Sequence, residues 1–390
     1  MRWEYRNTVL VLCTAAFFAT MVARLVISPV VPEIESEFGT SAGMIGLALT
    51  GMWAAYALSQ FPSGILADRY GERSVILAAV SVTAVASVAL ALSPSLATFG
   101  LFAVALGAGA GLHYVVATTL LTRIFSNTGR AIGLHVAGSP IAGLSAPVLA
   151  AAVAARYGWR AAILLGAAAA IPVGLLFAWR VRETEPQHPE RPLREGFEPE
   201  TLVELLSRPA IAYTTVLAVI SAFVWQATAS FLPAFLIAHH GYSTALAGAL
   251  FSLYFVAHGI CAPTIGGFSD RFGRDPTLAA TLATGIVAYP VLVAGSSLPV
   301  VAGAVALAGV AMSWSAPLQD RYIVRLSEDE TNRGFGLVRT VYMLLGALGS
   351  VVTGTLADLA GWGVAYGALG LLLALAVGSL ALVRLRGLSL

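Results

Sequence analysis

Long apolar runs constrain this chain more than any other feature of its sequence. A helix needs about 20 consecutive apolar residues to cross the hydrocarbon core of a bilayer, and twelve runs of that kind follow one another along the 390 residues. Only 11% of the residues are charged, whereas a soluble domain carries about a quarter. Because lipid-exposed irregular backbone is excluded from the bilayer core, each run predicts one spanning helix. The chain is therefore predicted to be an all-α membrane protein with twelve transmembrane helices.

The predicted spans fall into two groups of six. A stretch rich in Pro, Glu and Arg separates them and predicts a solvated linker. The predicted domains are an N-terminal six-helix bundle at 1–181, a cytoplasmic linker at 182–208 and a C-terminal six-helix bundle at 209–390. With a cytoplasmic N-terminus, 18 of the 22 basic residues, Arg321 among them, fall on the inner side and two on the outer side. The positive-inside rule therefore predicts that both termini are cytoplasmic.

The two halves repeat one another in sequence. The segment from Gly64 to Gly71, which contains Asp68-Arg69, recurs 202 residues later from Gly266 to Gly273, which contains Asp270-Arg271. Other pairs recur at an offset of 202 or 203: Gly39 with Gly241, Gly129-Arg130 with Asn332-Arg333, and Gly158-Trp159 with Gly361-Trp362. Transporters with such repeats place the substrate site near the bilayer midplane, where the halves face each other.

The two repeated loops resemble the signature of the major facilitator superfamily, found between its second and third spans with a weaker copy between the eighth and ninth. The resemblance covers the whole chain and implies two six-helix bundles related by pseudo-twofold symmetry, a monomer, and transport by alternating access. It also implies a latch, because a loop Asp can face the positive N-terminal end of a helix in the other half. A solvated loop that only obeys topology rules is the alternative. The predicted latch residues are Gly64, Asp68, Arg69, Gly71, Arg73, Gly266, Asp270, Arg271, Gly273, Arg130 and Arg333.

Two arginines remain inside the predicted spans, Arg24 in the first and Arg339 in the eleventh. A charge at the bilayer centre costs about 2.5 to 3.5 kcal/mol even on the lenient insertion scale, so it normally faces a cavity. No span carries an acidic residue near its middle, and a guanidinium can bind a carboxylate through two parallel hydrogen bonds. The arginines therefore predict a small organic anion as substrate. The alternative is that backbone carbonyls or Tyr hydroxyls satisfy them.

The surroundings of Arg24 resemble the first span of the organic-anion branch of the family, the anion:cation symporters. Pro32 follows Arg24 by eight residues and begins Pro-Glu-Ile-Glu, but Ala23 stands where that branch carries Asp. Gln226 lies 202 residues after Arg24 and is predicted to donate to the same anion from the other half. In the fifth span, Gly138-Ser139-Pro140 partly resembles the Gly-Pro motif of drug and proton antiporters, although close helix packing also explains small residues there.

Three histidines inside the spans are candidate carriers of a coupled proton: His113, His135 and His258. The fourth span lacks the membrane-embedded Glu of the organic-anion branch, and imidazole is the remaining side chain suited to titrate near pH 7. His113 ranks first because it stands close to the position of that Glu. A histidine hydrogen-bonded inside the bundle is the alternative. The predicted substrate-binding residues, whose aromatic members fit helix packing equally well, are Arg24, Arg339, Gln226, His113, Tyr114, Tyr254, His258, Trp314 and Tyr342.

Other classes of function have little support in the sequence. No His-x-x-Glu-His, cysteine pair or Gly-rich phosphate loop predicts an enzyme, a metal site or a cofactor, and no basic block predicts a nucleic-acid partner. The prediction is secondary active transport of a small organic anion across the plasma membrane, with a proton as candidate co-substrate and the lipid bilayer as surroundings. Efflux of amphipathic drugs is the alternative within transport. A non-transporting membrane sensor or an enzyme is the alternative outside it.

Overall fold

The computed structural model describes residues 4–190, 199–326 and 328–387, and the side chains there except at positions 199, 201 and 328–333. Helices are the only regular secondary structure in these ranges. Arg191 and Arg194 of the predicted linker, and the side chain of Arg333, lie outside the described residues. The helices are α1 (Tyr5–Leu25), α2 (Val31–Phe38), α3 (Ala42–Tyr70), α4 (Glu72–Ala91), α5 (Leu96–Gly111), α6 (His113–Ile124), α7 (Thr128–Val136), α8 (Gly138–Arg180), α9 (Pro199–Ser207), α10 (Pro209–His240), α11 (Thr244–Phe272), α12 (Arg274–Ala294), α13 (Leu298–Ala311), α14 (Ser315–Ile323), α15 (Glu328–Gly346), α16 (Leu348–Ala360) and α17 (Trp362–Leu385).

Eleven segments of the described chain are long and apolar enough to cross a membrane. The longest, Thr128–Arg180, has 53 residues and would be about 80 Å long as one helix, against about 30 Å of hydrocarbon. It breaks at Gly158, whose φ of 80° and ψ of 166° are not helical. Two spans therefore meet at Gly158, and the prediction of twelve transmembrane helices is confirmed.

Several spans consist of two shorter helices. The 3-10 turn Ser28–Val30 lies between α1 and α2, Leu112 lies between α5 and α6, and Ala137 lies between α7 and α8. Pro140 contributes to the last interruption, because a proline has no N–H to donate to the carbonyl of Val136 one turn earlier. Discontinuous helices line many transporter sites, where their backbone groups can meet a solute or an ion.

The chain divides into two compact units. The first comprises Met1–Thr40 and Leu47–Gly196, and the second comprises Ser41–Gly46 and Phe197–Leu390. In the first unit, α8 packs along α1 and α4 around a shared apolar core. In the second unit, α12 packs against α13 and α17, and α10 packs against α15. Each unit therefore buries a core of its own.

A glycine brings two helix backbones into contact in each unit. In the first, a Cβ added at Gly107 of α5 would lie 1.9 Å from the carbonyl oxygen of Met52 in α3. In the second, a Cβ added at Gly309 of α13 would lie 2.3 Å from the carbonyl oxygen of Tyr254 in α11. Both members of the second pair lie 202 residues after those of the first. The internal repeat therefore extends from the loops to the closest helix contacts, where small residues let helices approach.

The second unit also holds the beginning of α3. The Asp358 carboxylate, near the end of α16, accepts hydrogen bonds from the backbone N–H groups of Ala42 at 3.0 Å and Gly43 at 2.8 Å. A Cβ added at Gly354 would lie 2.4 Å from the carbonyl oxygen of Ala42. Asp358 thus satisfies two of the N–H groups that every helix start leaves unpaired, and its charge complements the helix dipole.

Candidate functional site

Arg24 lies in the last turn of α1 and is only 3% exposed. Its Nε donates to the carbonyl oxygen of Thr20 at 3.1 Å, and its Nη2 lies 2.8 Å from the sulfur of Met21. The guanidinium carbon lies 4.1 Å from the ring centre of Tyr56 and 5.3 Å from that of Trp53. The guanidinium is therefore held by one helix end and two aromatic faces.

The charge of Arg24 has no resident counter-ion in the described part of the chain. None of the ion pairs found there involves this residue. A buried charge without a counter-ion is costly, and a cation–π contact returns only about 1 to 2 kcal/mol. The guanidinium also has five N–H donors in a fixed fork, more than the contacts with Thr20 and Met21 use. The surroundings of Arg24 therefore favour a ligand that brings negative charge.

The position of Tyr56 depends on glycines in the facing helix. A Cβ added at Gly111 of α5 would lie 2.4 Å from the carbonyl oxygen of Tyr56, one turn beyond the contact between Gly107 and Met52. The Tyr56 and Trp53 rings meet edge to face, with centres 6.3 Å apart. Close approach of α5 to α3 thus fixes the backbone from which both rings reach Arg24.

Two buried imidazoles meet at Phe17 in the first unit. The ring centre of Phe17 lies 6.0 Å from His113 and 5.2 Å from His135, and the two imidazole centres are 5.5 Å apart. Tyr114 stacks on His135 at 6.0 Å. Both imidazoles are 0% exposed, and none of their four nitrogens has a hydrogen-bond partner among the described residues. The structure thus brings together three residues that the sequence proposed separately.

The candidates of the second unit lie on neighbouring helices. His258 of α11 is half-buried, and its Nδ1 lies 3.3 Å from the hydroxyl oxygen of Ser313. Trp314, the next residue, contacts Tyr342 of α15 edge to face, with ring centres 6.2 Å apart. Two of the predicted aromatic residues, Trp314 and Tyr342, are therefore in contact with each other.

The remaining candidates of the second unit are tied into the helix packing. Gln226 is 1% exposed and donates from Nε2 to the carbonyl oxygen of Met343 at 3.1 Å. Arg339 is half-buried and already has an interaction partner. Tyr254 is completely buried, and its ring centre lies 5.1 Å from that of Phe255. Tyr254 therefore belongs to an aromatic contact inside the second unit.

The two signature loops end in the same backbone conformation. Gly71 has φ +79° and Gly273 has φ +90°, a region that residues with a side chain rarely adopt. In the first loop, Arg73 donates from Nε to the carbonyl oxygen of Val181 at 2.8 Å. In the second loop, Asp270 is exposed. The first loop is thus tied to the end of α8, whereas the Asp of the second faces solvent.

The other predicted latch residues are half-buried or exposed. Asp68 is half-buried, and its backbone carbonyl accepts a hydrogen bond from the N–H of His188 at 2.9 Å. Gly64, Arg69 and Gly266 are half-buried, and Arg130 and Arg271 are exposed. Their role as a latch stays a prediction.

Some residues of these sites escaped the sequence analysis. Nothing in the sequence singled out Trp53 and Tyr56, because aromatic residues in apolar spans are common.

Arg321, one of the arginines that the sequence places on the inner side, is enclosed by neighbouring helices. Its side chain is 0% exposed, donates from Nε to the Thr214 hydroxyl at 3.3 Å and pairs with Asp275. A charge near the end of a span can thus be buried when a carboxylate and a hydroxyl of neighbouring helices meet it.

Comparison with curated proteins finds several relatives that share parts of the chain. It is 32% identical over 155 residues to the membrane sensor protein UhpC of Escherichia coli, over 39% of this chain and 35% of that protein. It is 25% identical over 189 residues to the probable sulfoacetate transporter SauU of Cupriavidus necator, over 48% and 44%. It is 28% identical over 218 residues to the drug efflux pump JefA of Mycobacterium tuberculosis, over 54% and 42%. The matches thus span less than half the length of each relative.

Solved structures share the fold along the whole chain. A bacterial homolog of the human lysosomal transporter Spinster, in an inward-facing and occupied conformation, superposes with a TM-score of 0.82 at 19% identity, over 98% of both chains. The model of the Major Facilitator Superfamily matches residues 12–246 and 214–388. The expected all-α fold with two repeated halves is therefore confirmed. The chain belongs to the Major Facilitator Superfamily, a family of multi-pass membrane transporters rather than enzymes.

Proposed function

We propose that this protein is a secondary transporter that carries a small organic anion across the plasma membrane by alternating access. The observation that carries the proposal is Arg24, a buried guanidinium that contacts a carbonyl, a sulfur and two aromatic rings. A carboxylate or sulfonate would supply the missing charge and accept two parallel hydrogen bonds from the guanidinium. Both termini are cytoplasmic in this proposal, as the arginine distribution indicates.

A relative supports an anionic substrate. The protein similar over 48% of this chain is named as a probable sulfoacetate transporter, and sulfoacetate carries a sulfonate and a carboxylate. The Arg24 guanidinium can hold one of these groups. The predicted roles of Gln226, Arg339, Trp314 and Tyr342 in substrate binding stay proposals, which the sequence repeat and the place of these residues within the spans support.

A thermal-shift screen of the purified protein tests the proposal. The probes are sulfoacetate and a hexuronate as anions, a quaternary ammonium as cation, and a neutral amphipath of similar size. A ligand at 100 times its dissociation constant stabilises the folded protein by about 2.7 kcal/mol, so we expect an anion to raise the unfolding temperature by several degrees. Arg24→Ala should abolish that shift while keeping a monodisperse detergent profile, and Arg24→Lys should restore it in part, because an ammonium lacks the planar fork. Stabilisation by the cation alone would overturn the proposal.

Drug efflux is the second candidate, since another relative is a drug efflux pump that matches 54% of this chain. In that case neutral or cationic amphipaths would stabilise the protein and Arg24→Ala would respond to them like the wild type. A sensor that binds an anion without moving it is the third, because one relative is a membrane sensor. Uptake of a radiolabelled form of the stabilising anion into proteoliposomes separates this case, since a sensor would bind the anion and accumulate none.

A further inference from the structure

The imidazoles of His113 and His135 are unusual because every one of their nitrogens is unpaired. Buried polar groups are nearly always hydrogen-bonded, and each unsatisfied one costs about 1 to 3 kcal/mol. Here four such atoms lie in one place. The backbone of Cys13 is close to the His113 ring, but no hydrogen bond of normal geometry joins them. Apolar side chains would fill the same space at lower cost, so the pair calls for a ligand.

Each histidine adjoins an interruption of its span. His113 is the first residue of α6, directly after the break at Leu112. His135 lies in the last turn of α7, two residues before the break at Ala137. Backbone groups near such breaks are freed from regular pairing and can meet ions in transporter sites. Both imidazoles therefore stand where two broken spans come together, against α1.

The geometry suits a proton held between the two rings. A linear hydrogen bond of about 2.9 Å between two imidazole nitrogens places the ring centres about 5 Å apart, and the observed separation is 5.5 Å. A shift of about half an ångström with a ring rotation forms that bond. The Phe17 ring lies 5.2 and 6.0 Å from the two imidazoles, and Tyr114 lies 6.0 Å from His135. These rings can stabilise a cation where no carboxylate is at hand.

The charged and titratable groups around the pair are few. Cys13 of α1 lies next to the His113 ring, and Tyr114 of α6 contacts His135. The positive charge of Arg24, at the end of α1, repels a proton on His113. The described residues hold no group of three His, Cys, Asp or Glu suited to a metal ion. Two ligands alone hold a transition metal poorly, so a proton is the ligand that these residues fit.

We propose that His113 and His135 form a single proton-binding site, in which one proton from solvent binds a nitrogen of one ring and is donated to a nitrogen of the other. The second part of the proposal rests on the proposed function: occupation of this site strengthens anion binding at Arg24. Phe17, which touches both imidazoles, lies seven residues before Arg24, about 10 Å along the same face of α1. A second positive charge about 10 Å from a bound anion raises the affinity for that anion on the order of tenfold at an effective dielectric near 20. By linkage the anion raises the proton affinity equally, which couples the two in symport.

Nitrogen-15 NMR of the purified full chain, labelled at histidine and titrated between pH 4.5 and 8.5 without substrate, tests the pair. We expect the signals of His113 and His135 to change together as one proton binds. In His135→Gln the proton affinity of His113 should fall at least tenfold, because a charge-assisted hydrogen bond is lost, and His113→Gln should act likewise on His135. The matched control is His239→Gln, a histidine of the second unit that contacts the carbonyl oxygen of Val293. Unchanged titration of the surviving ring in both cluster variants would overturn the shared site.

The coupling is tested separately with sulfoacetate as probe. The wild type should bind it about tenfold more tightly at pH 6 than at pH 8, and His135→Gln should lose this difference while still binding. An equal pH dependence in His135→Gln would overturn the coupling. If none of the anions binds, the proposed function fails, but the titration of the pair is unaffected because it requires no anion.

Discussion

The two units use the same helix contact and place different chemistry beside it. Gly107 meets the backbone of Met52 in the first unit, and Gly309 meets that of Tyr254 in the second, each within 2.3 Å of an added Cβ. One turn further along, Gly111 meets Tyr56 in the first unit. The residues at the same repeat offset of 202 are Ser313 and His258, which are joined by a hydrogen bond in the second.

The polar residues at equivalent positions have diverged. Arg24 of the first unit corresponds to Gln226 of the second at an offset of 202. Arg24 stacks on an aromatic ring and carries a charge, whereas Gln226 is neutral and donates to a backbone carbonyl. The helix contact that the two repeats share therefore stabilises the fold, and the polar residues that differ between them are the candidates for substrate binding. The first unit is therefore the proposed origin of anion affinity.

The largest expected effect on anion binding comes from removing the charge of Arg24, which distinguishes the first unit from the second. Arg24→Ala should lower the affinity for the stabilising anion about 100-fold, because two charge-assisted hydrogen bonds are lost at about 1.5 kcal/mol or more each. Gln226→Ala at the equivalent position should lower it less than about tenfold, since one neutral hydrogen bond contributes about 1 kcal/mol. Isothermal titration calorimetry with both variants measures the difference. A greater loss in Gln226→Ala would reverse the proposed roles of the units.

The shared helix contact should fail equally in both units. Gly107→Ala and Gly309→Ala each force two backbones apart, and such overpacking costs about 1 to 3 kcal/mol. Both variants should unfold at lower temperature than the wild type in detergent. Gly303→Ala is the control, because an added Cβ there meets nothing within 4 Å and alanine is favoured over glycine in a helix. If either contact variant is as stable as the control, the contact is not the common element of the two units.

The smallest expected effect concerns the ring beneath the guanidinium. Tyr56→Leu should weaken anion binding about fivefold, because a cation–π contact of about 1 kcal/mol positions the charge. Tyr56→Phe keeps the aromatic face and should bind within about twofold of the wild type. An equal loss in both variants would assign the role of Tyr56 to its hydroxyl instead.

Hydropathy and the repeat were enough to predict the number of spans and the family, because bilayer thickness fixes how many apolar residues one crossing needs. They also singled out Arg24, since a charge inside an apolar run is rare and costly. The break at Gly158 was visible as a gap between two runs. The interruptions at Leu112 and Ala137 were not, because their residues are apolar like the helices around them.

Contacts between distant helices were beyond the sequence. His113 and His135 were proposed as alternatives, and only the packing of α6 and α7 against α1 makes them one cluster. The burial of Arg321 depends on Asp275 and Thr214, which come from two other helices. A charge pattern along one chain gives its side of the membrane but not whether neighbouring helices will enclose it.

Two backbone amides of α3 that donate to the carboxylate of Asp358 can be used to measure how often the contact between α3 and α16 opens. The N–H groups of Ala42 and Gly43 are held by its two oxygens, so they can exchange hydrogen for deuterium only when that contact opens. Their exchange rate therefore follows how often the start of α3 leaves α16, on a timescale of minutes to hours. Mass spectrometry of a peptide containing these two residues would follow this opening without any added label.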